Sequence, residues 1–466
     1  MGPAPVRRAP LRNRAPGGHD GSTEENAPLQ TSPDSSSLLV RQDPPDATMG
    51  RLISVAEILV GPGVLAMLGE NDGPSMLSYA TSGASYGLGF FLPFILLTFA
   101  AAYVVQEMAM RLGAVTGRGY GELVFQRFGR TWGWISVGDL VLTNLITLVT
   151  EVIAIRIGMG FFGIPAWGAV LSAVALVAAG SWGSRYSRWE RLCAGLAVFN
   201  ATFIGVAWFA HPSPGAVAAS IATWSPLPDA APAMFLMLLA SNIGATVTPW
   251  MLFFQQSASV DKGMTPKDIR RGRQNTAAGA VLAAITGCAA FVAATPLFNN
   301  HIDMSQYGEG TGFAEALRPL IGQHGAGLFA LGLIEAGAMA MLTISASSAY
   351  AVGEVVRGAG CSFDLSPKNA PLFHGTNLGV AILAGAIVLI PGAPLMAIAL
   401  NANLLATILM PAALVFLLIM ANDKLVMGAH INSRWTNRLG IAIAVLIALA
   451  GGAYAVVGFL GAIGVN

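Results

Sequence analysis

Charge is scarce in this sequence. Of 466 residues only 11% are Asp, Glu, Lys or Arg, against about 25% in an ordinary soluble domain. Hydrophobic residues make up 54% and the mean hydropathy is +0.63, which excludes a soluble globular class and marks a polytopic membrane protein. The formal net charge is only +1 and no basic stripe runs along the chain, so a nucleic-acid surface is excluded as well. Cysteine is rarer still. Cys193, Cys288 and Cys361 stand far apart in no metal or redox spacing, and read as small buried hydrophobes or a loop thiol. The six histidines (His19, His211, His301, His324, His374, His430) fall in the tail, in loops or at helix ends. That argues against a histidine-built zinc or copper site at mid-membrane. No nucleophile–base set and no cofactor motif occur, so neither an enzyme nor a bound cofactor is expected.

The first 50 residues lack aromatic residues and are rich in Pro, Ser, Arg and Asp. Such a composition buries too little apolar surface to fold, and residues 1–50 are expected to form a disordered cytoplasmic tail. No apolar run follows the early arginines, so the tail is not read as a signal peptide.

What is present begins after Arg51. Crossing a bilayer core of about 30 Å takes about 20 helical residues. Eleven apolar stretches meet or approach that length: about 54–83, 87–110, 133–157, 164–181, 192–210, 232–256, 275–298, 323–348, 376–392, 395–420 and 439–463. With the N-terminus inside, alternate loops collect nearly all the basic residues: Arg111, Arg118, Arg127 and Arg130; Arg185, Arg188 and Arg191; Lys262, Lys267, Arg270, Arg271 and Arg273; and Arg357, Lys368, Lys424, Arg434 and Arg438. The other loops receive only Arg318, with Arg156 at a helix end. Positive charge stays on the cytoplasmic side, which places the N-terminus in the cytoplasm and the C-terminus outside a cell membrane.

Two of the stretches are broken. The first contains Gly69-Glu70-Asn71-Asp72-Gly73-Pro74-Ser75, and the sixth contains Ser241-Asn242-Ile243-Gly244-Ala245-Thr246-Val247-Thr248-Pro249-Trp250. Unpaired backbone groups and carboxylates at membrane depth cost several kcal/mol, and are tolerated where they serve a buried site. Interrupted segments in corresponding positions of two halves point to a transporter of inverted repeats with its site at the midplane. The repeats would be spans 1–5 (about 54–210) and 6–10 (about 232–420), with the eleventh span (about 439–463) an addition. Proline kinks that only shape packing are the alternative.

These residues resemble the NRAMP family of divalent-metal transporters. Gly61-Pro62-Gly63-Val64-Leu65 with Asp72 is similar to the family's first helix, and Gly244-Ala245-Thr246-Val247-Thr248-Pro249 to its sixth. Arg111-Leu112-Gly113, Thr116-Gly117-Arg118, Phe162-Gly163-Ile164-Pro165, Leu328 to Leu333 and Asp423 to Gly428 continue the resemblance in order. It implies an all-α, LeuT-like 5+5 inverted repeat with discontinuous helices 1 and 6 and about eleven transmembrane helices. It further implies a metal site of Asp72, Ser75, Gly69, Ala245, Thr248 and Asn403, the last from span 10. Ser75 stands where the family has asparagine, Thr248 replaces its methionine and Trp250 its histidine. Leu148 replaces the aspartate three residues before Glu151.

Without the thioether the donors are oxygens, which suit hard cations such as Mg²⁺ or Mn²⁺. Mg²⁺ keeps several waters, for which Ser75 and Thr248 leave room. The departures resemble the NRAMP-related magnesium transporters, a branch thought not to couple to protons. Uniport of a divalent cation driven by membrane potential is therefore the leading expectation, with alternating access around the midplane site. Proton-coupled Mn²⁺ symport is the second, and an organic-solute carrier of the same fold the third. A metal-sensing receptor is disfavoured because the tail shows no signalling motif. Glu70, Glu151 and Glu335 are candidate gating or cavity carboxylates. Glu70 reads equally as a second ligand or as a pairing group, and Glu335 as a cavity group or a structural acceptor. The expected partners are the metal substrate and the lipid bilayer, with no nucleic acid and no obligate protein partner inferred.

Overall fold

The computed structural model describes residues 58–181, 185–224, 232–302, 304, 312–357, 361–393 and 395–462. The expected tail over 1–50 lies outside the described residues, as do the first few residues of the first span.

Helices α1 (Pro62–Gly69) and α2 (Gly73–Tyr86) meet at the first break. Next come α3 (Phe91–Thr116), the short α4 (Tyr120–Phe128), α5 (Arg130–Phe161) and α6 (Ala166–Ser181). The fifth span is α7 (Tyr186–Ala197), a 3₁₀ turn (Val198–Ala201) and α8 (Thr202–Phe209), with α9 (Pro214–Thr223) after it. The second broken pair is α10 (Pro232–Gly244) and α11 (Pro249–Asp261). Then follow α12 (Ile269–Asn299), α13 (Gly312–Arg357), α14 (Pro371–Val388), α15 (Leu395–Asn422), the single turn α16 (Lys424–Met427) and α17 (Arg434–Ala462). Among the described residues nine helical segments are long and apolar enough to cross a bilayer. The pair α1/α2 and the 16-residue α6 complete the eleven expected spans.

The structure differs from the sequence expectation mainly at helix ends. Hydrogen-bonded helix continues past the apolar run, because propagation needs no apolar side chain. The span expected over 323–348 thus runs on to Arg357, while its start is marked by Gly322, where the backbone leaves the helix (φ 76°). The span expected over 192–210 begins at Tyr186 and is interrupted by the 3₁₀ turn, which the sequence did not signal.

α5 and α13 lie side by side, and α12 packs on α1, α2 and α3, so both breaks are enclosed by protein. The basic loops gather at one end. Arg127 meets Asp423 (2.8 Å), Arg111 binds Glu107 (3.0 Å), Asn432 and the His430 carbonyl, Arg273 reaches Glu107 (2.8 Å), and Lys262 holds Glu190 (2.6 Å). These contacts join loops that eleven alternating spans assign to a single side.

Candidate cation site between two broken helices

At the first break, Asp72 takes an extended conformation (φ −74°, ψ 174°) and caps α2, its carboxylate accepting the Ser75 N–H at 2.9 Å. Glu151, midway along α5, reaches the same helix start and accepts the Gly73 N–H at 2.9 Å. Glycine is required there, since a methyl group would run into Ala154 of α5. Two carboxylates therefore share the N-terminus of α2, where unpaired N–H groups and the helix dipole favour anions.

At the second break, α10 ends at Gly244, so close to the backbone of Asn403 on α15 that any side chain would collide. α11 restarts at Pro249 after an extended Thr248 (φ −114°, ψ 153°). The Thr248 hydroxyl donates to Glu70 Oε1 at 2.6 Å, a single hydrogen bond that joins the two breaks. The Thr248 N–H donates to Met251 Sδ at 3.3 Å, so a thioether stands at this break after all, turned to the backbone.

The structure thus brings Glu70, Asp72, Glu151 and Thr248 together. Ser75 Oγ stands beside the Asp72 carboxylate without hydrogen-bond geometry to it, and Gly69 packs against Trp250 and Thr343. Two further expected ligands carry hydrogen bonds to side chains of α2. The Ala245 carbonyl accepts the Tyr79 hydroxyl at 3.1 Å. Asn403 Nδ2 donates at 3.0 Å to Ser78 Oγ, which pairs with Ser241 Oγ at 2.7 Å, about one turn along α2 from Ser75. Glu335 is not in the cluster and accepts from Asn200. Sequence reading missed Asn71, Asn200 and Thr286, which adjoin the first break. The signal was an amide or hydroxyl inside an apolar run, too common to single out without contacts.

Glu70, Asp72 and Glu151 are fully buried or nearly so and within Coulombic reach of one another. Among the described residues no Lys or Arg pairs with them. Four oxygens here, Glu70 Oε2, Asn71 Oδ1, Ser75 Oγ and Glu151 Oε1, are buried without a hydrogen-bond partner. Among the described residues no group of three or more His, Cys, Asp or Glu is arranged to hold a metal ion. The unpaired oxygens at the break are thus of mixed kind (carboxylate, hydroxyl and amide).

Two broken helices facing each other in a bundle of eleven spans, with unpaired oxygens at the breaks, define a membrane transporter of the LeuT-like inverted-repeat class. A solved manganese transporter of Eremococcus coleocola aligns with a TM-score of 0.69 at 19% identity, covering 87% of each chain, which shows the shared fold. The family model described as natural resistance-associated macrophage protein-like matches residues 63–457, and the chain belongs to that family. Among curated relatives, the divalent metal cation transporter MntH of Pectobacterium carotovorum is 26% identical over 400 residues, 84% of this chain and 92% of that protein. MntH of Deinococcus radiodurans is 27% identical over 433 residues, 87% and 94% of the two chains.

Proposed function

We propose that this protein carries a divalent metal cation across the cell membrane by alternating access, with Mg²⁺ favoured, Mn²⁺ also carried, and no proton coupling. It is a transporter and not an enzyme. The observation that carries the reading is the trio Glu70, Asp72 and Glu151, buried with no cationic side chain among the described residues, where four oxygens, two of them the trio's own, are unpaired. A buried carboxylate without a cationic partner costs several kcal/mol, so this cluster gains more from a divalent cation than from any neutral solute. A solute carboxylate would be repelled, which disfavours the organic-solute reading. Asp72 and Glu151 supply charge at the α2 N-terminus, and Glu70 and Thr248 are placed to trade their mutual hydrogen bond for the ion. The unpaired oxygens suit a hard cation that keeps some of its waters.

The relatives' printed names, manganese and divalent metal cation transporter, support the class of substrate. Leu148 and Trp250, which cannot exchange protons, support uniport. A membrane potential of 100 mV is then worth about 4.6 kcal/mol for a divalent ion, enough to drive import. The basic loops support an N-terminus inside and a C-terminus outside the cell membrane.

Uptake of Mg²⁺, Mn²⁺ and Cd²⁺ into proteoliposomes, with an imposed K⁺ diffusion potential and a lumenal pH dye, tests this. Mg²⁺ uptake is expected to rise with inside-negative potential at constant lumenal pH, and to vanish in Asp72→Ala. Lumenal acidification with metal entry would replace uniport by proton-coupled Mn²⁺ symport. Uptake displaced by organic solutes would overturn the metal reading.

A further inference from the structure

We infer that Glu335 is a positioning residue for the cation site, acting on the first break through a polarised chain of two buried asparagines. Asn71 lies between Glu70 and Asp72, and its Nδ2 faces the Ala283 carbonyl (3.0 Å), Thr286 Oγ1 (2.6 Å) and Asn200 Oδ1 (3.3 Å). A backbone carbonyl only accepts, so the Ala283 carbonyl fixes which end of the Asn71 amide faces it. Asn200 must then present its oxygen to Asn71 and its nitrogen to Glu335. That nitrogen lies 2.9 and 3.0 Å from the two carboxylate oxygens. Every amide dipole in the chain points the same way, and Glu335 terminates it as a pure acceptor. Chains of this kind strengthen one another in a low-dielectric interior, and lose most when one end is removed.

The geometry spans four elements. Asn71 is in the break, Asn200 in the 3₁₀ turn, Thr286 on α12 and Glu335 on α13, each at most 5% exposed. The same arrangement leaves Asn71 Oδ1 turned away from Ala283 and unpaired among the cation-site oxygens. Glu335 therefore holds Asn200 with its oxygen toward Asn71 Nδ2, and so braces the orientation, fixed at the Ala283 carbonyl, in which Asn71 offers its own oxygen. The 3₁₀ turn has a reason here: it carries Asn200 into the gap between Asn71 and Glu335.

This inference rests on the cation-transport reading, and two readouts separate the two. In proteoliposomes, Glu335→Leu is expected to raise KM for Mg²⁺ about tenfold, the effect of losing a charged hydrogen-bond acceptor. Turnover at saturating ion should stay within about twofold. Glu335→Gln, which keeps one acceptor oxygen, should give a smaller rise. Adding Asn200→Ala to Glu335→Leu should add almost nothing, because both remove one chain. Independently of any substrate, amide exchange in peptides covering residues 68–75 should quicken several-fold in Glu335→Leu, with α17 peptides unchanged. Unaltered KM with unaltered exchange at the break would overturn the inference, as would additive effects in the double variant. Faster exchange at the break in a protein that moves no divalent ion would overturn the transport reading and leave the positioning role standing.

Discussion

Thr248 is the residue whose hydroxyl joins the two breaks, and in the proposed function it bears on ion preference. Its hydroxyl is committed to Glu70 at 2.6 Å, so an arriving ion competes with a hydrogen bond inside the protein rather than with water. Replacing it by a thioether removes that competitor and adds a soft donor. Thr248→Met is therefore expected to raise Cd²⁺ affinity relative to Mg²⁺, by about tenfold if one metal–sulfur contact forms at a gain of about 1.4 kcal/mol. Met251 is the control that the structure supplies. Its sulfur already stands at the break but is turned to the Thr248 N–H, so Met251→Leu should leave the Cd²⁺/Mg²⁺ ratio unchanged. Competition of Cd²⁺ with Mg²⁺ uptake measures both. An altered ratio in Met251→Leu would place the thioether in the site and undo the oxygen-only assignment. Gly73 offers a steric test at the same scale. Gly73→Ala would force a methyl into Ala154, with an overpacking cost of about 1–3 kcal/mol, seen as a lower unfolding temperature and as lost uptake.

At the scale of elements, each broken helix needs partners for the backbone groups that the break releases. α2 has Asp72 and Glu151, both legible in the sequence because carboxylates in an apolar run stand out. α1 has a cap that sequence could not show, at its outer end away from the break. Gly61 precedes it without a side chain, and Asn275, more than 200 residues away on α12, accepts from Gly63 N–H (2.8 Å) and Val64 N–H (3.3 Å) while donating to the Ile58 carbonyl (2.7 Å). A cap in trans costs about as much to lose as a local one. Asn275→Ala should destabilise by about 1–2 kcal/mol and quicken amide exchange in α1 specifically, leaving α2 protected. Equal exchange in α1 before and after the change would show that the cap is dispensable. The same contrast explains what sequence conveyed about the site. The two breaks, Asp72 and the order of spans follow from local composition and periodicity. The engagement of the Ala245 carbonyl by Tyr79, of Asn403 by Ser78 and of Glu335 by Asn200 depends on which faces of distant helices meet, and no local pattern records that.

At the scale of the whole molecule, alternating access requires that one end of the bundle close while the other opens around the breaks. In the proposed cycle, contacts at the basic end would hold that end closed. Lys262, just beyond α11, binds Glu190 of α7 at 2.6 Å and the Val60 carbonyl before α1 at 3.3 Å, which ties both broken helices to the fifth span. A cavity of about 680 Å³ lies beside this contact, lined by Val60, Gly61, Pro62, Lys262, Asp268 and Asn275, so the end has room to move. The Lys262 side chain is 34% exposed and that of Glu190 9%, so the pair is neither a surface bridge nor a fully desolvated one. An interaction of this kind is worth about 0.5–1 kcal/mol, enough to shift a two-state equilibrium about two- to fivefold but not to lock it. Lys262→Met is therefore expected to raise the population open at the basic end by about two- to fivefold without abolishing transport. The measurement is the rate at which an impermeant thiol reagent, applied from the basic side, modifies Ser75→Cys in a chain whose three native cysteines are replaced. A faster rate with Lys262→Met, reversed by saturating Mg²⁺ as the ion occupies the break, would identify Lys262 as a latch. An unchanged rate would assign closure to the Arg127–Asp423 and Arg111–Glu107 contacts on the other flank of the same end.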